Sequence, residues 1–218
     1  MEVIIVDEGK DVLRMAHTAP IAKELVDMTY TFDETTLHYP TTKEFEMNVI
    51  LNGTIERGTW LQVEEYSSAI HVGTHMDAPA HFTKGGQTVE EIPVDRLIAS
   101  AAVIDITAKS RSRARCRGHH RRSVALGIRL SGEAAQWLVD NRNIYGIATE
   151  TLSFDKGSTR TFPSHNILLG HGIYGLENVA NVDKIPIYGA KLHVMPMKIG
   201  RGSGAPTRII ATFPKILF

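Results

Sequence analysis

His71-Val-Gly-Thr-His75-Met-Asp77-Ala-Pro-Ala-His81 gathers four side chains that bind metals or move protons, His71, His75, Asp77 and His81, within eleven positions. Their offsets from the first are four, six and ten, all even, and in an extended chain even offsets lie on one face. A helix would keep His71 and His75 together but turn Asp77 away. Gly73 and Pro79 also oppose a continuous helix. The segment therefore reads as a strand end running into a loop, with its side chains converging on one point. Imidazole nitrogen with carboxylate oxygen suits Zn²⁺, Mn²⁺ or Fe²⁺. Three protein ligands leave positions open for water and substrate, as a catalytic site requires. A pair of histidines four apart would be ordinary in a chain with 10 of them. Three with an Asp, interleaved with Gly and Pro, read as a metal site.

Working outward, residues 59–67 carry the β-formers Thr59, Trp60, Val63 and Tyr66 and read as a strand, with Trp60 expected in the core. Before them, Asn48-Val-Ile-Leu51 reads as a strand entering a turn at Asn52-Gly53, a pair that accepts positive φ cheaply. Leu25-Val-Asp-Met-Thr29 is a further strand. Residues 1–24 form either a peripheral strand and helix or an extension exchanged between subunits, so the main domain is taken as 25–218. On the other side, Ala101-Ala-Val-Ile-Asp-Ile-Thr107 and Ile144-Tyr-Gly-Ile-Ala-Thr149 are strands. Residues 131–141 are a helix: Ser131 caps it, Glu133 suits its positive end, and Ala134, Ala135, Leu138 and Val139 form one apolar stripe. A short helix is expected over 176–182, and closing strands over 191–197 and 207–213. Strands outnumber helices, so the class is α/β with a mixed β-sheet core and few helices.

Composition narrows the function. Apolar residues make up 43% and charged residues 22% of the 218, as in ordinary soluble globular proteins. Lys plus Arg balances Asp plus Glu at 24 each, so no global field points to nucleic acid or an anionic membrane. The single cysteine, Cys116, excludes an intrachain disulfide and fits a reducing compartment. Met1 to Lys10 makes a poor signal peptide, because its apolar run is short and flanked by acids. The expected setting is the cytoplasm, with no membrane partner and no nucleic acid.

The spacing His71-x-Gly73-Thr74-His75-x-Asp77-x-Pro79-x-His81 resembles the signature of the cyclase-type metal-dependent hydrolases, which include kynurenine formamidases and isatin hydrolases. Three later stretches extend the resemblance: Gly146 to Asp155, Phe162 to Asn181, and Gly202 to Arg208. The resemblance implies a swivelling β/β/α fold. It implies that His71, His75 and Asp77 hold a first divalent ion, zinc or manganese. His165 and Glu177 would complete a second position, so one or two ions are expected. His81 would be the general acid/base, with Pro79 and Ala80 setting it apart from the ligand Asp77. His81 as a fourth ligand, His165 as a group behind the ligands, and Glu177 as a helix N-terminal residue stay open. Tyr39 lies where the family has an aromatic-Pro stretch near the substrate, and Phe162 is a second candidate for substrate contact. The implied substrate is a small cyclic or N-formyl amide, and the implied assembly is a homodimer or larger.

Between Thr107 and Ser131 the resemblance fails. In the atypical segment 109–130, residues 109–122 are strongly basic and without apolar pattern, Val124 to Leu130 offers a poor substitute strand, and the segment is read either as a functional basic loop or as the product of altered splicing or a shifted frame, with the second favoured. This segment motivates two alternatives to an active enzyme: an impaired relative that only binds a metal or small ligand, and a nucleic-acid binder using Arg111 to Arg122. Interleaved aromatics that would stack on bases are missing there.

Overall fold

The computed structural model describes residues 1–6, 23–105, 130–156 and 159–215. The expectations for residues 7–22, for Cys116 and for the basic stretch up to 129 lie outside the described residues. The elements are β1 (Glu2–Val6), β2 (Lys23–Asp27), β3 (Glu46–Thr54), β4 (Trp60–Ser67), β5 (His75–Asp77), β6 (Ile98–Ile104), α1 (Gly132–Asn141), β7 (Ile144–Thr149), α2 (Pro163–Gly170), β8 (Tyr174–Glu177), β9 (Ala190–Pro196) and β10 (Gly204–Pro214). Among the described residues, no helix is long and apolar enough to cross a membrane.

Eight strands form one mixed sheet in the order β2-β10-β5-β8-β7-β1-β6-β9. β10 pairs with β5 and β2 and, along its other edge, with β9, which brings the sheet nearly to closure. The mixed α/β class expected from the sequence is the one found. β1 lies inside the sheet, antiparallel to both β6 and β7, and not at its periphery. Alternation along the strands builds two apolar layers. Met76, Leu176, Ala205, Ile209 and Leu192 fill the enclosed core. Ala135, Leu138, Ile147 and Leu168 join α1 and α2 to the outer face. β7 is buried on both faces, with Ala148 in the first layer and Ile147 in the second.

α1 starts where its cap residue placed it: the Ser131 hydroxyl accepts from the Ala134 N–H at 3.2 Å. Three expectations are corrected. The helix foreseen over 176–182 is instead the end of β8, a loop and a short 3₁₀ turn at Val182–Lys184. β8 pairs antiparallel with β5 and parallel with β7, and Asn178 and Asn181 take left-handed φ values of 52° and 56° that break a helix. The turn at Asn52-Gly53 is absent, since both residues pair across to Gln62 and Leu61 inside the β3–β4 hairpin. The reversal comes later, where Arg57 and Gly58 supply φ values of 72° and 76°. Trp60, expected in the core, is 64% exposed, because the two-stranded β3–β4 sheet stands apart from the main one.

β7 and β8 meet closely at Gly146, whose Cα partner is Tyr174. A Cβ there would sit 2.2 Å from the Tyr174 ring, itself 1% exposed. Gly146→Ala is expected to destabilise the chain by about 1–3 kcal/mol through overpacking, read as a lower urea midpoint. An unchanged midpoint would show that the ring has room to move aside.

Candidate metal centre

The strand part of the signature is shorter than its spacing suggested. Only His75, Met76 and Asp77 are extended, and within them alternation works as expected. Met76 points into the enclosed core, while His75 and Asp77 share the opposite face. His71 reaches that face through a bend in which Gly73 takes φ 56°. A Cβ at Gly73 would lie 2.8 Å from the Phe32 ring, so glycine is required there on two counts. His81 arrives on a 3₁₀ turn, Pro79–His81. Glu177 is placed by strand register: it is the antiparallel partner of His75 and therefore projects beside it. Asp77 pairs with Gly175, whose missing side chain leaves space for the Phe154 ring. His165 comes from the first turn of α2, entered through Phe162 in a left-handed conformation (φ 45°) and Pro163.

Asp77 is the hub. Its Oδ1 lies 2.7 Å from His71 Nδ1 and 3.3 Å from His75 Nε2, and its Oδ2 lies 3.5 Å from His165 Nε2. Glu177 faces His75 Nε2 at 3.5 Å through Oε2 and His165 Nε2 at 3.3 Å through Oε1. Two donor groups overlap on this carboxylate: His71, Asp77 and His81, and His75, Asp77 and Glu177, each with ligand atoms within 4.8 Å of one another. The sequence-derived set is thus brought together, with His75 grouped on the Glu177 side and His71 on the His81 side. Imidazole and carboxylate donors in this number fit a divalent cation of the zinc or manganese kind.

The electrostatics favour positive charge at this point. Burial works against ionising Asp77, but His165, His71 and His75 hold its carboxyl well below the usual range. Burial and the Asp77 charge push Glu177 upward. Burial also opposes a charged His75, yet Asp77 and Glu177 outweigh it and raise the ring to about 9. His165 is raised to about 11, against its own burial, by Asp155, Asp77 and Glu177. His81 moves the other way, to about 4, through withdrawal from water and the neighbouring imidazoles, with Asp77 opposing.

Ring nitrogens pointing away from the cluster are held. His75 donates from Nδ1 to the Gly73 carbonyl at 3.0 Å, leaving Nε2 for the centre. His165 does so to Asp155 at 2.6 Å. His71 turns Nε2 to the Ser203 hydroxyl at 3.0 Å, and a Cβ on the adjacent Gly204 would strike its ring at 2.5 Å. His81 differs. It is the most solvent-open member of the cluster and stacks on His71 at a centroid distance of 3.9 Å, and no hydrogen bond fixes its side chain among the described residues. A ligand needs a fixed lone pair; a proton carrier needs a ring that can exchange partners.

Phe162 stands 5.8 Å from His165 and 5.4 Å from Phe82, ring to ring. Tyr39 lies half-buried on the neighbouring loop, where Thr42 donates to its carbonyl and the Leu37 carbonyl accepts from Gly73. Phe82, Phe154, Asp155 and Ser203 are site residues that the sequence reading missed. The signal for Phe82 was its place directly after His81; Phe154, Asp155 and Ser203 lie inside stretches that carried the resemblance but had no role attached.

Comparison with known proteins agrees with this geometry. The family model described as "Putative cyclase" matches residues 26–123. An isatin hydrolase of Roseibium aggregatum is 28% identical over 191 residues, covering 66% of this chain and 72% of that relative. A kynurenine formamidase of Salinibacter ruber is 27% identical, covering 64% of this chain and 74% of the relative. The solved structure of isatin hydrolase A from Ralstonia solanacearum superposes with a TM-score of 0.75 at 26% identity, over 88% of this chain and 92% of that one. These relatives are hydrolases, and the chain is similar to them over most of its length and to the cyclase family over residues 26–123.

Proposed function

We propose that this chain is a metal-dependent hydrolase that cleaves the C–N bond of a small cyclic or N-formyl amide, isatin-like or N-formylkynurenine-like. One observation carries the reading: Asp77 joins two donor groups, and His71, His75 and the adjoining His165 are held from behind, while His81, itself a member of one group, is not. A divalent cation there would supply a nucleophile from water at neutral pH and polarise the amide carbonyl. His71 and His75, both in reach of Asp77 Oδ1, would hold it with that carboxylate, and His165 and Glu177 with Asp77 would offer a second position. His81 takes a proton from the attacking water as the C–O bond forms. It returns that proton to the departing nitrogen as the C–N bond breaks, leaving an acid and an amine. Phe82 and Phe162 flank this side and suit a flat, aromatic substrate. Tyr39 is assigned to the same pocket by family resemblance.

The homodimer implied by the resemblance belongs to the same proposal. On the β3–β4 hairpin, Met47, Val49, Trp60, Leu61, Val63 and Tyr66 are exposed large hydrophobics. A lone two-stranded hairpin is marginal in water, so a covering surface is needed. Met47, Val49, Trp60 and Tyr66 share one face of the hairpin and Leu61 and Val63 the other, and at roughly 100 Å² apiece the first face offers on the order of 400 Å², about half of the ~800 Å² each partner buries in a standard interface.

Four outcomes follow. Purified chain should carry manganese or zinc and hydrolyse isatin or N-formylkynurenine, and a chelator should abolish turnover. His81→Ala should lower kcat by about 10²–10⁴-fold while the bound ion remains. Turnover that survives both treatments sinks the mechanism, and bound ion without turnover on any amide favours the impaired relative. Because His75 holds its proton up to about 9, cation binding should expel protons and tighten as pH rises from 6 toward 9, measured as proton release in weakly buffered solution. Affinity that is flat over this range would contradict the ligand role of His75. Light scattering should give twice the chain mass, and Trp60→Glu with Tyr66→Glu should give monomers; a monomeric wild type removes the dimer from the proposal.

A further inference from the structure

Asp155 is 1% exposed, yet it has no place in the cation-binding or proton-transfer set. Its carboxylate is held in place from α2. Oδ1 accepts the Ser164 N–H at 3.0 Å, and Oδ2 accepts the His165 N–H at 2.9 Å. The same Oδ2 accepts the His165 Nδ1–H at 2.6 Å, the shorter of its two contacts with that residue. A carboxylate can only accept, so Nδ1 must carry the proton and Nε2 must be the nitrogen turned to Asp77 and Glu177. The residue before it acts on the same half of the centre. The Phe154 ring stacks on His165 at 3.8 Å and 19°, and its N–H donates to Glu177 Oε1 at 3.2 Å. The loop that carries both is closed on itself by Thr151 Oγ1 donating to the Ser153 carbonyl and by the Asp155 N–H donating to Ser153 Oγ.

We propose that Asp155 is the positioning residue of this centre: it fixes the ring plane and tautomer of His165, so that His165, Glu177 and Asp77 close around a cation. The inference rests on the reading of His165 as a ligand. Asp155 also satisfies two N–H groups at the start of α2, where Phe162 offers no side-chain cap. A helix-capping role alone would therefore explain its burial, and the test must separate the two.

The measurement is Mn²⁺ binding to the metal-free full chain, by calorimetry and by electron paramagnetic resonance, in wild type, Asp155→Asn, His165→Ala and the double variant. Asn keeps the size and one acceptor for the helix start but offers an N–H toward Nδ1, which reverses the tautomer. Asp155→Asn should weaken Mn²⁺ binding by about 10–100-fold. His165→Ala should weaken it at least as much. The double variant should be no worse than His165→Ala alone, because Asp155 acts through that ring. If His165→Ala leaves binding unchanged, the ligand reading fails. If His165→Ala weakens binding and Asp155→Asn does not, the positioning role fails. If Asp155→Asn costs the same in both backgrounds, Asp155 is a helix cap and the inference is overturned. Thermal unfolding of each metal-free variant shows whether it folds. Should Asp155→Asn not fold, Asp155→Ser, which retains a short acceptor but cannot reach Nδ1, enters the same cycle with the same expected loss.

Discussion

Two carboxylates, Asp77 and Glu177, lie side by side at 1% and 2% exposure, and that juxtaposition constrains the rest of the molecule. Removing one such ion from water costs several kcal/mol even after the protein relaxes. Two facing each other add repulsion, visible in the upward push on Glu177. The surroundings offset this with three imidazoles and the Phe154 N–H. Strand pairing holds the carboxylates where they are: β5 is hydrogen-bonded on one edge to β8 and on the other to β10. Neither acid can be displaced without opening the sheet.

Division of labour between sheet and loops follows. His75, Asp77 and Glu177 stand on strands whose backbones are paired, while His71, His81 and His165 come from a bend, a turn and a helix start. The second group needs outside support, and two of its members have it: Ser203 behind His71 and Asp155 behind His165. Glycines make the approach possible. Gly204 lets the closing strand pass over the His71 ring, and Gly175 lets Phe154 pack against Asp77.

Much of the centre was legible in the chain. The even offset of His75 and Asp77 pointed to one face, which His71 joins only through the bend at Gly73, and Ser131 announced the start of α1. Glu177, which the resemblance offered as a ligand, lies beside His75, but its element was misread. Leu176, Val179, Ala180 and Val182 are spaced like a helical stripe, and all are buried, yet they sit on a strand end and a loop. Periodicity reports burial, and here burial came from packing under the sheet. Trp60 failed for the converse reason: β-forming residues announce a strand and not which of its faces are covered. Asp155 was invisible because its partner is ten residues away, across a turn that only tertiary packing fixes.

The aromatic residues beside His81 have a different standing from the ligands. Phe82 follows a 3₁₀ turn and Phe162 sits ahead of a helix, so neither contributes to the paired backbone of the sheet. Both rings lie against His165, at 4.6 and 5.8 Å between centroids, so substitutions there alter the shape and stacking of the entrance and reach the buried charges through that one ring. The rim of the cleft can therefore be recut side chain by side chain while the paired strands that carry His75, Asp77 and Glu177 keep their places.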